Sequence, residues 1–146
     1  MSTVFLLDVN VLIAASWPTH QAHEKVQRWL ARHAQEGWAT CPLTESAFVR
    51  IISNPGFSPN ALTVADALDL LRANLVHPSH RFWEIDIPFL PCVEPFEEKL
   101  LGHQQISDAY LLGLAIYKRG RLATVDRAIL SLLPEKDPNR ERIVII

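Results

Sequence analysis

Four acidic residues stand where predicted strands of this sequence give way to helices. Asp8 and Asp126 each directly follow a short apolar run. Glu45 lies in the first turn of the helix after the second predicted strand, and Asp108 opens the most apolar helix of the chain. Because ligands of parallel α/β sheets gather at the carboxyl ends of the strands, we expect these four acids to meet at one edge of a sheet.

Converging carboxylates predict a particular chemistry. Several partly buried acids cannot all stay ionised without a counter-cation. An all-oxygen ligand set favours hard divalent ions, so we expect Asp8, Glu45, Asp108 and Asp126 to bind Mg²⁺ or Mn²⁺. Such ions bind a phosphodiester, activate water and neutralise the leaving oxygen. Each acid alone could instead be a helix cap favoured by the macrodipole, an interpretation that weakens when four junctions match.

Two polar residues lie close to these acids in the sequence. Asn10, two residues after Asp8, could cap a helix or could hydrogen-bond and orient a metal-binding carboxylate. Thr124, two residues before Asp126, could hydrogen-bond a carboxylate or a substrate phosphate, or could simply be a strand residue. We predict supporting roles for both.

Several other side chains are candidates for contact with a nucleic-acid substrate. Trp17 and His20 follow the first acidic segment and could line a groove by stacking on a base. His20 and His23 could also share a helix face as a metal site, although surface or capping roles fit better. Cationic residues could contact phosphates or lie at solvated helix ends, and Arg50 could instead pair with an acid. These cations are Arg50, Lys118, Arg119, Arg121 and Arg127.

Alternating apolar runs and amphipathic segments predict the elements that position these residues. The predicted strands are residues 3–7, 38–41, 81–85, 121–125 and 143–146. The predicted helices are residues 10–16, 20–35, 42–53, 63–76, 89–101, 107–119 and 127–133. This alternation predicts one α/β domain over residues 1–146, a three-layer α/β/α sandwich with a mostly parallel central sheet.

Composition narrows the class of protein further. Of 146 residues 49% are apolar, enough for a core, and no apolar run is long enough to span a bilayer. The start of the chain lacks the basic residues of a secretory signal, and the two cysteines, Cys41 and Cys92, have no partner motif. We therefore expect a cytoplasmic protein with reduced, buried cysteines and no membrane contact. The net charge of −2 argues against a surface that coats nucleic acid, but not against nucleic acid as substrate.

Four segments carry a family resemblance in the same order as the acids. They are Leu7-Asp8-Val9-Asn10-Val11-Leu12, Thr44-Glu45 with Phe48-Val49-Arg50, Gln105-Ile106-Ser107-Asp108-Ala109-Tyr110-Leu111, and Leu122-Ala123-Thr124-Val125-Asp126. This ordered set resembles PIN-domain ribonucleases, and more narrowly the VapC-type toxins of bacterial toxin–antitoxin pairs. The resemblance implies a Mg²⁺- or Mn²⁺-dependent endoribonuclease that forms homodimers and is blocked by a cognate antitoxin. It also implies that Asp8, Glu45, Asp108 and Asp126 form the acidic quartet, with Asp8 and Asp108 as the firmest metal ligands.

Three other functions compete with this interpretation. A phosphohydrolase with Asp8 as nucleophile would need a second aspartate two residues later, where this chain has Asn10. A catalytically inactive PIN-like module that binds RNA or protein would have no reason to keep converging acids. A DNA nuclease of the same fold would need more structure than this chain length provides to grip a duplex, so single-stranded or looped RNA is favoured.

Overall fold

A five-stranded sheet organises the molecule in the computed structural model, which describes residues 3–146. The strands are β1 (Phe5–Leu7), β2 (Trp38–Thr40), β3 (His80–Phe82), β4 (Arg121–Thr124) and β5 (Ile143–Ile145). Their order is β3-β2-β1-β4-β5, and every neighbouring pair is parallel. Because β1 is central and entirely apolar, it is buried on both faces, as a parallel sheet covered by helices requires.

Six α-helices within residues 3–146 cover the two faces of this sheet. They are α1 (Val9–Ser16), α2 (His23–His33), α3 (Pro42–Ile52), α4 (Val64–Leu75), α5 (Phe89–Val93) and α6 (Ile106–Tyr117). Short 3₁₀ helices occupy Ala34–Glu36, Glu94–Lys99, His103–Gln105, Arg127–Leu132 and Pro138–Arg142. The predicted three-layer α/β sandwich is confirmed.

Alternation along each strand divides the core into two parts. Phe5 and Leu7 point into one apolar cluster, which α1, α2, α3 and α4 cover. Leu6 points into the other, which α5 and α6 cover. The helices that follow β1 and β2 thus pack on one face, and α6 packs on the opposite face.

Two predicted helices are shorter than expected. The helix predicted over residues 89–101 is α-helical only to Val93 and continues as a 3₁₀ helix over Glu94–Lys99. Pro95 causes this change, because its ring displaces the backbone four residues earlier and it has no N–H to donate. The helix predicted from His20 begins at His23, so His20 lies in the preceding turn.

The two cysteines and the lengths of the helices bear on two further expectations. Cys41 and Cys92 are both free and buried, as predicted. Within residues 3–146, the helices are too short or too polar to cross a bilayer.

Candidate active site

Asp8 is the most buried of the predicted acids. It follows β1 directly and is only 5% exposed. Its Oδ1 accepts a hydrogen bond from the N–H of Val9 at 2.7 Å and so caps α1. Its Oδ2 accepts a hydrogen bond from the hydroxyl of Thr124 at 2.9 Å. Asp8 therefore serves as a helix cap and still presents a carboxylate at the carboxyl edge of the sheet.

Asn10 and Thr124 join the ends of β1 and β4. The amide of Asn10 donates to Thr124 Oγ1 at 3.0 Å, and its Oδ1 accepts from the N–H of Val125 at 3.2 Å. Thr124 Oγ1 also accepts from the N–H of Asp126 at 3.1 Å. The capping role considered for Asn10 is wrong, because Asp8 caps the helix and Asn10 lies inside its first turn. Its hydrogen bonds instead hold Thr124 against Asp8.

Three of the four acids share one electrostatic environment. The pKa of Asp8 is raised, chiefly because burial disfavours its charge and also because Asp126 repels it. The pKa of Asp108 is raised to about 6 by burial and then by the charges of Asp8 and Asp126. Asp126 itself is exposed, and its Oδ1 caps the following 3₁₀ helix by accepting from Ala128 N–H at 2.9 Å. The charges of Asp8, Asp108 and Asp126 thus act on one another at the carboxyl edge of the sheet.

Glu45 stands apart from these three, on the neighbouring strand–helix junction of the same edge. Its Oε2 accepts a hydrogen bond from the hydroxyl of Thr40 at 2.7 Å. Thr40 Oγ1 in turn lies 2.7 Å from Nε2 of His80. The charge of Glu45 acts on His80, whose pKa is nevertheless lowered, mainly by burial. The charge of Glu45 is not among those that raise the pKa of Asp8 or Asp108. The arrangement is a cluster of three acids with a fourth beside it, rather than the predicted closed ring.

Thr40 and His80 are site residues that sequence reasoning missed. A signal was present, because β2 and β4 both end in an Ala-Thr pair, Ala39-Thr40 and Ala123-Thr124. In each case the buried threonine donates its hydroxyl proton to a carboxylate at the edge of the sheet. His80 gave no such signal. It is the first residue of the short edge strand β3, whereas the strand predicted from the sequence begins at residue 81.

The oxygen atoms of these acids suit a divalent cation, although the side chains are not yet close enough together to surround one. Among residues 3–146, no three His, Cys, Asp or Glu side chains are close enough together to hold a metal ion as they stand. The oxygen-only donors nevertheless match Mg²⁺ or Mn²⁺, and burial, followed by repulsion from neighbouring acids, raises the pKa of both Asp8 and Asp108. A cation between these carboxylates would relieve that repulsion, so we treat this cluster as the candidate metal site.

Most of the cationic residues proposed to contact RNA lie away from the acids. Arg119 and Arg121 lie at the amino end of β4, about 10 Å along the strand from Thr124 and at the edge opposite the acids. Lys118 pairs with Asp86 at 2.9 Å. Because residues that precede a strand lie at the other edge of the sheet, Arg119 and Arg121 lie away from the acids, which favours the alternative of a solvated helix end. Arg127, which follows Asp126, is exposed at the correct edge.

Arg50 remains close to Glu45. It is exposed on α3, and together with Glu45 it lines a shallow groove of about 460 Å³ between α3 and α4. The alternative that Arg50 pairs with an acid is wrong, because no such ion pair forms within the part of the chain that the structure describes.

Trp17, His20 and His23 make intramolecular contacts. The ring of Trp17 packs edge-to-face on Phe57, with centroids 5.1 Å apart. His20 Nδ1 accepts from the N–H of Ala22 at 3.0 Å, while His23 Nδ1 lies 2.6 Å from the carbonyl oxygen of Ala14. These separate local partners argue against the shared metal site considered for the two histidines.

Removing the charge of Asp108 should stabilise the metal-free fold at neutral pH. The folded state holds its carboxyl at a pKa of about 6, above the ordinary aspartate pKa of 3.8 that applies in the unfolded chain. Below about pH 4 the group is protonated in both states and costs nothing. As the pH rises through 6 the folded state alone bears the penalty of the buried, repelled charge.

We therefore expect Asp108→Asn to raise the free energy of unfolding by about 1 kcal/mol at pH 7.5, after discounting for partial exposure. The gain should vanish near pH 4. Urea unfolding of both proteins in EDTA at these two pH values measures it. A variant that is less stable than the wild type at pH 7.5 would contradict the electrostatic assignment.

The sequence of this chain is similar to those of known proteins. The PIN domain family matches residues 5–135. Ribonuclease VapC38 of Mycobacterium tuberculosis (strain ATCC 25618 / H37Rv) is 39% identical over 131 residues, covering 90% of this chain and 91% of that protein. Ribonuclease VapC39 of Mycobacterium tuberculosis (strain CDC 1551 / Oshkosh) is 40% identical over 124 residues, covering 85% and 89% respectively.

Solved structures share the fold at low sequence identity. VapBC2 from Rickettsia felis, solved bound to a promoter DNA fragment, superposes with a TM-score of 0.67 at 11% identity, covering 98% of this chain and 97% of that one. FitAcB from Neisseria gonorrhoeae superposes with a TM-score of 0.64 at 18% identity, covering 97% and 96%. The family match and the sequence relatives show that the chain belongs to the PIN-domain family and to its VapC branch.

Proposed function

We propose that this protein is a Mg²⁺- or Mn²⁺-dependent endoribonuclease and the toxin of a toxin–antitoxin pair. The observation that carries the proposal is the cluster of Asp8, Asp108 and Asp126 at the carboxyl edge of the sheet, with raised pKa values at the first two. Relatives named ribonucleases at about 40% identity support the activity, and neighbouring structures titled VapBC support the antitoxin.

Each acid has a distinct part in this proposal. Asp8 is held rigidly by Thr124 and by the start of α1, so it would be the fixed ligand of the ion. Asp108 and Asp126 would complete the oxygen donors. When bound, the ion would supply Lewis acidity toward the scissile phosphate and toward water. Glu45 would orient the attacking water from the side, because Thr40 fixes its Oε2 and leaves Oε1 without a hydrogen-bond partner among residues 3–146.

Cleavage of total cellular RNA tests the activity directly. The purified protein should cut RNA at discrete positions in Mg²⁺, lose this activity in EDTA, and regain it when Mn²⁺ is added. Mapping the ends identifies the target. Intact RNA in Mg²⁺ with a folded, soluble protein would overturn the proposal, and equal cleavage in EDTA would overturn its metal dependence.

The toxin role and the assembly need separate tests. Expression of the chain alone should arrest growth, co-expression of a neighbouring small binding protein should lift the arrest, and Asp8→Asn should be harmless. We further propose a cytoplasmic homodimer, which light scattering of the purified protein would measure as twice the chain mass. Normal growth with abundant soluble wild-type protein would contradict the toxin role.

Thr40 should act as a positioning residue for Glu45. Thr40→Val removes the hydroxyl that donates to Glu45 and leaves His80 Nε2 without its partner. We expect kcat to fall about tenfold, equivalent to about 1.4 kcal/mol of transition-state stabilisation, with little change in KM.

The conservative variant Thr40→Ser supplies the matched control, because it keeps the hydroxyl. It should retain nearly all of the wild-type kcat. A Thr40→Val protein with wild-type kcat, or a Thr40→Ser protein as slow as Thr40→Val, would show that this hydrogen bond does not position Glu45.

A further inference from the structure

A small basic cleft lies between α2 and the edge strand β5. Its volume is about 250 Å³. The α2 cleft, as we name it, is lined by Lys25, Arg28, Trp29, Arg32, His33, Ile145 and Ile146. The α2 cations carry no separate signal in the sequence, because they fit the polar face of an ordinary amphipathic helix.

Three cations of the cleft form one stripe on α2. Lys25, Arg28 and Arg32 are spaced by three and four residues and therefore share a face of α2. All three are exposed, and none forms an ion pair within residues 3–146. Glu36 is the one acid in ion-pair range of a lining residue, 3.6 Å from His33 Nδ1. Such neighbouring like charges repel one another, so this stripe is best matched by a polyanion.

Hydrogen bonds connect the floor of the cleft to the acid cluster. Ile145 is the register partner of Thr124, and the N–H of Ile146 donates to the carbonyl oxygen of Thr124 at 2.9 Å. Thr124 donates its hydroxyl proton to Asp8 at 2.9 Å. The carboxyl end of β5 therefore brings one end of the cleft close to Thr124, while Trp29 and His33 extend the cleft over Phe5 toward the amino end of β1.

The wall of the cleft is aromatic and fixed. Trp29 packs edge-to-face on Phe5 with centroids 4.9 Å apart, and His33 lies against Trp29 at 4.9 Å. These contacts hold the two rings in place beside the three cations. Cations next to a rigid aromatic surface suit a nucleic-acid strand, which offers phosphates and flat bases together.

We propose that the α2 cleft binds phosphates of single-stranded RNA next to the scissile bond. This inference rests on the proposed ribonuclease activity. An acidic cluster repels the RNA backbone until a cation is bound, and the whole chain has a net charge of −2. The basic stripe on α2 supplies local attraction for the RNA backbone and fixes the position of the strand.

Binding of a labelled RNA by charge variants tests the proposal. The probe is a fluorescein-labelled, mixed-sequence RNA of about 20 nucleotides, and Asp8→Asn is the background, so that the RNA stays intact. In this background Arg28→Gln/Arg32→Gln should weaken binding about tenfold in anisotropy measurements. Two lost phosphate contacts should also reduce the slope of log K against log[NaCl] by about 1.4.

A control with the same change in net charge separates local from general effects. Arg72→Gln/Arg81→Gln removes two cations from α4 and β3, and β3 is the edge strand opposite β5. This control should bind RNA within about twofold of the background protein. Cleavage by Arg28→Gln/Arg32→Gln in the otherwise wild-type chain should show a raised KM with little change in kcat.

The possible results distinguish this inference from the proposed function. Equal affinity and salt slope in the cleft variant and the control would overturn the RNA site while leaving the nuclease proposal intact. Unchanged RNA binding with lost antitoxin binding would overturn it in favour of a protein partner. A wild-type chain that neither binds nor cuts RNA would overturn both.

Discussion

Asp8→Asn should reduce RNA cleavage at least 100-fold while the protein stays folded. The change removes the most buried negative charge of the acid cluster, and loss of a metal-binding carboxylate costs several kcal/mol of transition-state stabilisation. The asparagine carbonyl can still accept the Val9 N–H that caps α1. Since burial and Asp126 raise the pKa of Asp8, removing its charge should leave the melting temperature equal or higher in metal-free buffer.

Asp137→Asn is the matched control for this variant. Asp137 also caps a helix, by accepting from the N–H of Asn139 at 2.8 Å, but it precedes β5 and so lies away from the acid cluster. Its replacement should leave the cleavage rate within about twofold of wild type. If Asp8→Asn cuts RNA at the wild-type rate in Mg²⁺, the acid cluster is not the active site.

Gly113→Ala should produce the largest loss of stability. Gly113 lies in the buried middle of α6, where a Cβ would overlap the carbonyl oxygen of Cys92 and lie 2.6 Å from its Sγ. A backbone carbonyl cannot rotate away, so α5 and α6 would have to separate. We expect a loss of about 3 kcal/mol, or a fall of about 6–12 °C in the melting temperature.

Gly102→Ala provides the comparison at an open position. A Cβ at Gly102 would meet no heavy atom within 4 Å, and its φ of −156° suits any residue. Thermal unfolding of this variant should differ from wild type by less than about 0.5 kcal/mol. A Gly113→Ala protein as stable as the Gly102→Ala protein would show that α5 and α6 do not pack as closely as the structure indicates.

The sequence predicted the sheet and the edge at which the acids meet, because both follow from local patterns. Buried parallel strands appear as short apolar runs, and residues after them must lie at the carboxyl edge. The same rule, applied to Arg119 and Arg121, would have placed them at the opposite edge, since they precede or begin β4.

Other features of the site depend on contacts that no local pattern reveals. The partner of Asn10 is Thr124, 114 residues later, so its hydrogen bond could not be read from the sequence around Asp8. The separation of Glu45 from the other acids depends on side-chain direction, which Thr40 fixes. The α2 cleft likewise exists only because β5 returns to the sheet beside β4.

The acid cluster illustrates a compromise between stability and function. Burial and mutual repulsion raise the pKa values of Asp8 and Asp108, so their ionised forms destabilise the metal-free fold. The hydrogen bond from Thr124 offsets part of this cost by lowering the pKa of Asp8. Such unfavourable charge, held in place by the surrounding structure, is expected of residues that bind a cation rather than of simple helix caps.

Titration with Mn²⁺, followed by calorimetry, tests the central claim most directly, because it requires no knowledge of the RNA target. The wild-type protein and Asp137→Asn should bind Mn²⁺ with equal affinity, whereas Asp8→Asn and Asp108→Asn should each bind it at least about tenfold more weakly. Equal Mn²⁺ affinity in all four proteins would contradict the account.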